Sequence, residues 1–443
     1  MPRVIWKATA GLPARGTSTE SLRRCAHALD LFHTQRGDPS ADVERLLSDD
    51  PTCLAAHCLR VGLAVRGDDF MARDRVATSI AAIESACPND GDPARRHAAA
   101  ARAWLDGDAA GALDRYGAIV IDSPVDLLAL VVAHALDFRL GRRRMLRDRV
   151  AQVLPAWNVS MRGYASVLAI YAFGLEENAH YRRAERVARS ALTLDPGHPA
   201  AIHALAHVME MKGRAREGLA FLAATAPSWA QGTGFSVHLA WHQALFHLDA
   251  DGPEAALTLY DARIAPAQDS LAALADASAL LWRLTLRGAD VGSRWESLAN
   301  RWQMQSVADA RPFYAVHALM AFAAAGHDGA TARVLDALRS THAHGPPEDA
   351  LAPTIGEALL AFARRNYTAC IDWIARVRHL AQRCGGSVAQ CDLIHLTLTE
   401  AALRAHKARL ARTLAEERAA QKPASVQNQL LLWRAGMLMP AVA

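Results

Sequence analysis

The sequence lacks the long apolar runs of a membrane protein: nothing in it approaches the roughly 18 consecutive apolar residues of a spanning helix. Its opening, MPRVIWKATAGLPARGTSTES, has no apolar segment of signal-peptide length. Aromatic residues are scarce at 6%, and alternating β-branched runs are nearly absent, which argues against a sheet protein. The seven cysteines include no CxxC pair and no compact metal spacing, so reduced thiols in a cytoplasmic protein are expected. A formal charge of +4 over 443 residues gives no field for nucleic acid, and the short arginine runs read as solvated helix ends. The phosphate loop, the dinucleotide fingerprint, the GxSxG elbow and the kinase motifs are all missing. These gaps exclude several large enzyme classes and leave no membrane and no nucleic acid as the expected partners.

What is present is helical. Hydrophobic residues make up 51% of the chain and are rich in alanine and leucine. A weak repeat runs through it. GDAAGALDRYGAIVIDSPVD resembles AHYRRAERVARSALTLDPGHP at an offset of 72 residues, aligning Ala112 with Ala184. Intervals of 34 and 38 then lead to Gly218 and Ala256, bracketing the roughly 34-residue tetratricopeptide period. Small residues at these positions let two helices cross closely, and a degenerate repeat is expected near 145–155. The fold class predicted is all-α: a tetratricopeptide-like α-solenoid of stacked antiparallel helix pairs with a concave binding face. A loosely ordered N-terminus is assigned to 1–19, the helical array to 20–340 and a C-terminal helical segment to 351–436. THAHGPPEDA is the expected internal loop.

Five segments carry a resemblance to a known family: HALAHVMEMKGR, HLAWHQALFHLD, ADASALLWRLTLRGADVGSRWESLANRW, FYAVHALMAFAAAG and GGSVAQCDLIHLTL. Together, over roughly 20–435, the chain resembles the tetratricopeptide repeat protein 38 family. The resemblance implies an all-helical repeat fold and brings no settled reaction. Two positions depart from the family pattern. Ala240 precedes Trp241 where a second tryptophan is usual, and Cys391 stands where an arginine is expected.

The most distinctive residues are His203, His207 and Glu210 in one segment and His238 and His242 in the next. The i, i+4 spacing, with Glu210 at i+7, projects each set from one helical face. Three readings stay open. The first is metal-free acid–base chemistry by Glu210 and a histidine. The second is a zinc, iron or manganese site, although neither HExxH nor paired ExxH is present. The third is a structural hydrogen-bond network.

Other residues are candidates for the same place. Asp276 and Arg283 share a helical face, and the Arg283 guanidinium fork suits a substrate carboxylate. Trp241, Arg294, His317 and Tyr171 complete the expected substrate-binding set. Gly385-Gly386-Ser387 opens a helix, with Ser387 as N-cap.

The functional expectation is a small-molecule enzyme using acid–base chemistry on a carboxylate-bearing substrate. It would use no organic cofactor and no metal. The alternatives are an interaction scaffold whose histidines are structural, and a metal-dependent hydrolase or oxidase. A homodimer stays open, because solenoid ends must be capped or paired.

Overall fold

The computed structural model describes residues 11–13, 18–305, 311–341 and 350–438. Most of the expected N-terminal segment, and all but the ends of the expected 341–350 loop, lie outside them. Among the described residues are twenty-three α-helices and no strand; one isolated bridge pairs Arg36 with Thr233. The all-α array of antiparallel pairs is what the sequence predicts.

Two kinds of helix alternate. In several pairs the first helix is apolar nearly all round, as in Leu127–Arg139, Tyr164–Glu176 and Pro312–Ala325, and is buried on most of its surface. The second is amphipathic. Tyr181–Leu194 buries only Ala184, Ala188 and Ala191, a stripe one helical turn apart, and turns its arginines outward.

The turn inside each pair is the repeating device. Eleven residues of positive φ, at 35, 68, 107, 141, 179, 213, 251, 288, 326, 365 and 406, follow the inner helices at intervals of 33 to 41. At ten of them the next amide donates to the carbonyl five residues back, at 2.8–3.0 Å; Arg142 to Asp137, His180 to Leu175 and Arg214 to Met209 are examples. This bond satisfies a carbonyl that the ending helix would otherwise orphan. Five of the eleven are glycine. The other six are Gln35, Asp68, Ala179, Asp251, Arg365 and His406, which are all the non-glycine residues of positive φ described.

Five residues beyond each turn falls an equivalent position, which at most pairs is the buried slot where the returning helix meets its partner and at Ser40, Arg73 and Ser293 is exposed. It holds Ser40, Ala112, Ala184, Gly218, Ala256, Ser293, Thr331, Cys370 and Ala411, with Arg73 and Leu146 as the two large exceptions. Ala112, Ala184, Ala256, Cys370 and Ala411 are fully buried there. At the degenerate repeat the small residue has moved to the other helix. Leu146 occupies the slot, and its carbonyl approaches Gly174, where a Cβ would lie 2.3 Å from the oxygen.

The contacts divide the chain into two units, Met1–Leu205 with Pro227–Phe235, and Ala206–Ala226 with Ser236–Ala443. In the first, Leu54–Gly67 packs on Pro93–Leu105 and on Leu127–Arg139, and Thr19–Thr34 also reaches Leu127–Arg139. In the second, the inner helices Ser236–Asp249, Leu271–Leu286, Pro312–Ala325 and Leu351–Ala363 stack in order. Val388–Arg404 then returns to Leu271–Leu286, and Val426–Met437 returns to Ser236–Asp249. The inner face of this unit is thereby covered by its own last helices. Ser387 opens Val388–Arg404 with a capping box, accepting from the Gln390 amide while Gln390 Oε1 accepts from the Ser387 amide.

The turn and the slot make opposite demands, and two substitutions separate them. Ala179→Gly removes a Cβ from a left-handed residue, and urea denaturation should show a gain of about 1 kcal/mol. Gly174→Ala forces a Cβ against a backbone oxygen and should lose about 1–3 kcal/mol. The opposite order would contradict this assignment of the two positions.

Candidate functional site

Five of the sequence-predicted residues form one buried network in the second unit. His242 lies fully inside and donates from Nδ1 to Glu210 Oε2 at 2.8 Å. His238 donates from Nδ1 to Asp276 Oδ2, also at 2.8 Å. The rings themselves are in contact. His207 meets the His242 ring edge-on at 4.4 Å between centroids, and His238 meets it at 4.8 Å. The i, i+4 spacing on Ser236–Asp249 puts His238 and His242 on one face, as the sequence predicts.

Around this core, Trp241 stacks on His238 at 5.2 Å with planes only 11° apart. The Arg283 guanidinium covers the Trp241 ring at 5.4 Å. It also donates from Nη2 to the Ala389 carbonyl at 2.7 Å. Lys422 brings its ammonium to 3.7 Å from Glu210 Oε1. His317 donates from Nδ1 to the Phe313 carbonyl at 2.7 Å, and its ring packs on Phe313.

The remaining candidates have ring and charge partners of their own. His203, one turn before His207 on Pro199–Met211, stacks on Phe173 at 5.4 Å and faces Phe235 at 4.8 Å. Tyr171 is buried under the Arg183 guanidinium. Arg294 is held by both oxygens of Asp261, at 2.7 and 2.6 Å, on the solvent side of its helix. Its neighbour Trp295 donates to Thr285.

Burial and charge set opposite tendencies in the two carboxylate-bound histidines. Burial pulls His238 down, yet the Asp276 carboxylate and, more weakly, Glu210 carry it above its ordinary value. Burial, reinforced by His207, His238 and the cations of Arg283 and Lys422, holds His242 well below its ordinary value. Burial also lowers Arg283, against the pull of Asp392 and Glu210.

Lys422 and the Ala389 carbonyl are partners that sequence reasoning did not supply. Both come from helical hairpins far along the chain, and no local spacing points to them. The Asp392–Arg418 pair nearby, at 2.7 and 3.0 Å, was missed for the same reason.

The first unit has its own buried polar relay. Ser166 Oγ lies 2.7 Å from His33 Nδ1 and 2.6 Å from His198 Nε2, and His33 Nε2 is 3.2 Å from Asp30. Ser166, His33 and His198 are buried, so the relay ties the Thr19–Thr34 helix to the hairpin that follows Gly163.

Solved structures similar to this chain include a crystal structure of the APC/C hetero-tetramer Cut9–Hcn1, 15% identical, covering 98% of this chain and 79% of that one, with a TM-score of 0.45. Another is an IFIT1 monomeric mutant with Gppp-AAAA, 11% identical over 99% of both chains, with a TM-score of 0.43. A third is the P58(IPK) TPR domain, 14% identical over 79% of this chain and 98% of that one, with a TM-score of 0.23. No family model matches the chain. The paired helices, their turns and their period decide the fold. The chain is a tetratricopeptide-like helical repeat protein.

The expected acid–base enzyme with a small-molecule substrate is corrected at this point. Two of the similar structures carry Hcn1 in one case and Gppp-AAAA in the other. The site gives the physical reason. Arg283, assigned to a substrate carboxylate, is turned to the Ala389 carbonyl and the Trp241 ring, while Glu210 and Asp276 are engaged by His242 and His238. No described helix is long and apolar enough to cross a membrane.

Buried histidines make the stability of the fold depend on pH. Burial lowers both His134 and His198 from 6.5 to about 4. Between these values the unfolded chain takes up protons that the folded chain refuses. The contribution of these two groups is therefore full above pH 6.5 and falls toward pH 4, by about 1.4 kcal/mol per pH unit for each histidine. Urea midpoints measured across this window should fall less steeply in His134→Gln than in the parent; equal slopes would refute the assignment.

Proposed function

We propose that the chain is a cytoplasmic interaction scaffold that binds a protein partner, with its histidine–carboxylate network serving the internal packing of the repeats. One observation carries the reading: the charged groups best suited to hold an organic substrate are already engaged within the protein. Glu210 meets His242 and Lys422, Asp276 meets His238, and Arg283 meets Ala389 and Trp241. Buried polar groups have to be paired, and here the pairing joins helices from four hairpins of one unit.

The outer helices supply the complementary half of the argument. Tyr181–Leu194 presents Arg182, Arg186 and Arg189 on the side away from its buried alanine stripe. Repetition of such faces along an array gives a partner many separate contacts, which suits recognition of an extended protein surface. The cytoplasmic assignment rests on the wide spacing of the seven cysteines, all of which are thiols.

The test is reconstitution. The purified full chain should retain a protein partner in stoichiometric amount, and the complex should re-form from the two pure proteins. Glu210→Gln, provided it stays folded by circular dichroism, should leave the affinity unchanged. Failure of the pure proteins to associate would contradict the proposal, as would loss of binding in the folded variant.

A further inference from the structure

Within the second unit, three imidazoles converge from two helices. His207 comes from the C-terminal half of Pro199–Met211, and His238 and His242 come from Ser236–Asp249. One ring nitrogen from each lies within 4.8 Å of the others. Two of the three are held from behind by carboxylates, His242 by Glu210 and His238 by Asp276, each through Nδ1 at 2.8 Å.

We infer that His207, His238 and His242 form a binding site for a single divalent transition-metal ion, with zinc the best fit.

The chemistry of the donor set carries this. A neutral imidazole has one N–H and one lone pair. When Nδ1–H is committed to a carboxylate, the tautomer is fixed and Nε2 presents its lone pair, as in metal-ligating histidines generally. Glu210 and Asp276 therefore orient His242 and His238 and raise the basicity of their far nitrogens. The spacing is also close. A tetrahedral zinc with Zn–N bonds of about 2.0–2.1 Å needs nitrogens roughly 3.4 Å apart. Side chains already within 4.8 Å reach that spacing by small χ rotations.

Three nitrogen ligands and no thiolate suit zinc, cobalt, nickel or copper better than calcium or magnesium, which prefer oxygen. The charge balance permits a dication, because Glu210 and Asp276 stand directly behind the ligands. The ion would link residues 206–226 to the rest of the unit to which they belong, replacing contact between edge-on rings by coordinate bonds. Glu210 and Asp276 are positioning residues in this assignment and are not ligands. The scaffold proposal does not depend on it.

The experiment uses the full chain, stripped with chelator, exchanged into chelator-free buffer and shown to remain folded. Titration with zinc sulfate alone should show about one equivalent bound and a rise in melting temperature. Cobalt chloride alone should give the visible absorption of nitrogen-ligated tetrahedral cobalt. His238→Ala combined with His242→Ala should abolish both signals. Asp276→Asn keeps every ligand and should weaken zinc binding about 10- to 100-fold. This second variant decides the matter if the double variant does not fold. Absence of binding to the folded parent would overturn the inference, and so would parental affinity in Asp276→Asn or retention of the cobalt spectrum without His238 and His242.

Discussion

The left-handed turn that closes each helix pair is the constraint on which the remaining structure depends. It fixes the direction of the returning helix and supplies a partner for a carbonyl at the helix end. It also sets the register, because at most pairs the buried contact slot falls five residues later. A slip of one residue would rotate the outer helix by about 100° and take its small residue out of the crossing. Period, packing and the burial of the inner helices therefore follow from one backbone conformation repeated along the chain.

The inner helices explain the buried chemistry. A helix enclosed on all sides cannot turn a polar residue to water, so each histidine, carboxylate or guanidinium on it needs a partner from a neighbouring helix. Ser236–Asp249 meets this need with Glu210 and Asp276, and Leu271–Leu286 meets it with the Ala389 carbonyl. Where the partners are few, charge is suppressed, as burial does for His134 and His317, both lowered to about 4. The same enclosure that makes the histidines look like catalytic machinery in the sequence directs them toward one another in the fold.

Much of the fold was legible in the sequence because the slot is written in small residues. Ala112, Ala184, Gly218 and Ala256 gave both the period and the crossing. The rest of the repeat was hidden at Gln35, Asp68, Ala179, Asp251, Arg365 and His406, because non-glycine residues occupy left-handed turns there and no composition signal marks them. The degenerate repeat was obscured by Leu146, whose compensation at Gly174 lies on another helix. At the site, helical spacing paired His238 with His242, but the partners Asp276, Lys422 and Ala389 depend on long-range stacking. Arg294 misled because its fork already fits Asp261, from the preceding hairpin.

Amide hydrogen exchange, resolved by residue, tests the central claim most directly. If the turns hold the repeats in register, the amides of Asp108, Arg142, His180, Arg214, Gly252, Ala289, His327, Asn366 and Lys407, each bonded to the carbonyl five residues back, will exchange far more slowly than in an open chain. Their protection will be similar from one repeat to the next. Exchange at open-chain rates, while the inner helices stay protected, would show that the helices hold their places without the turns and would contradict the account.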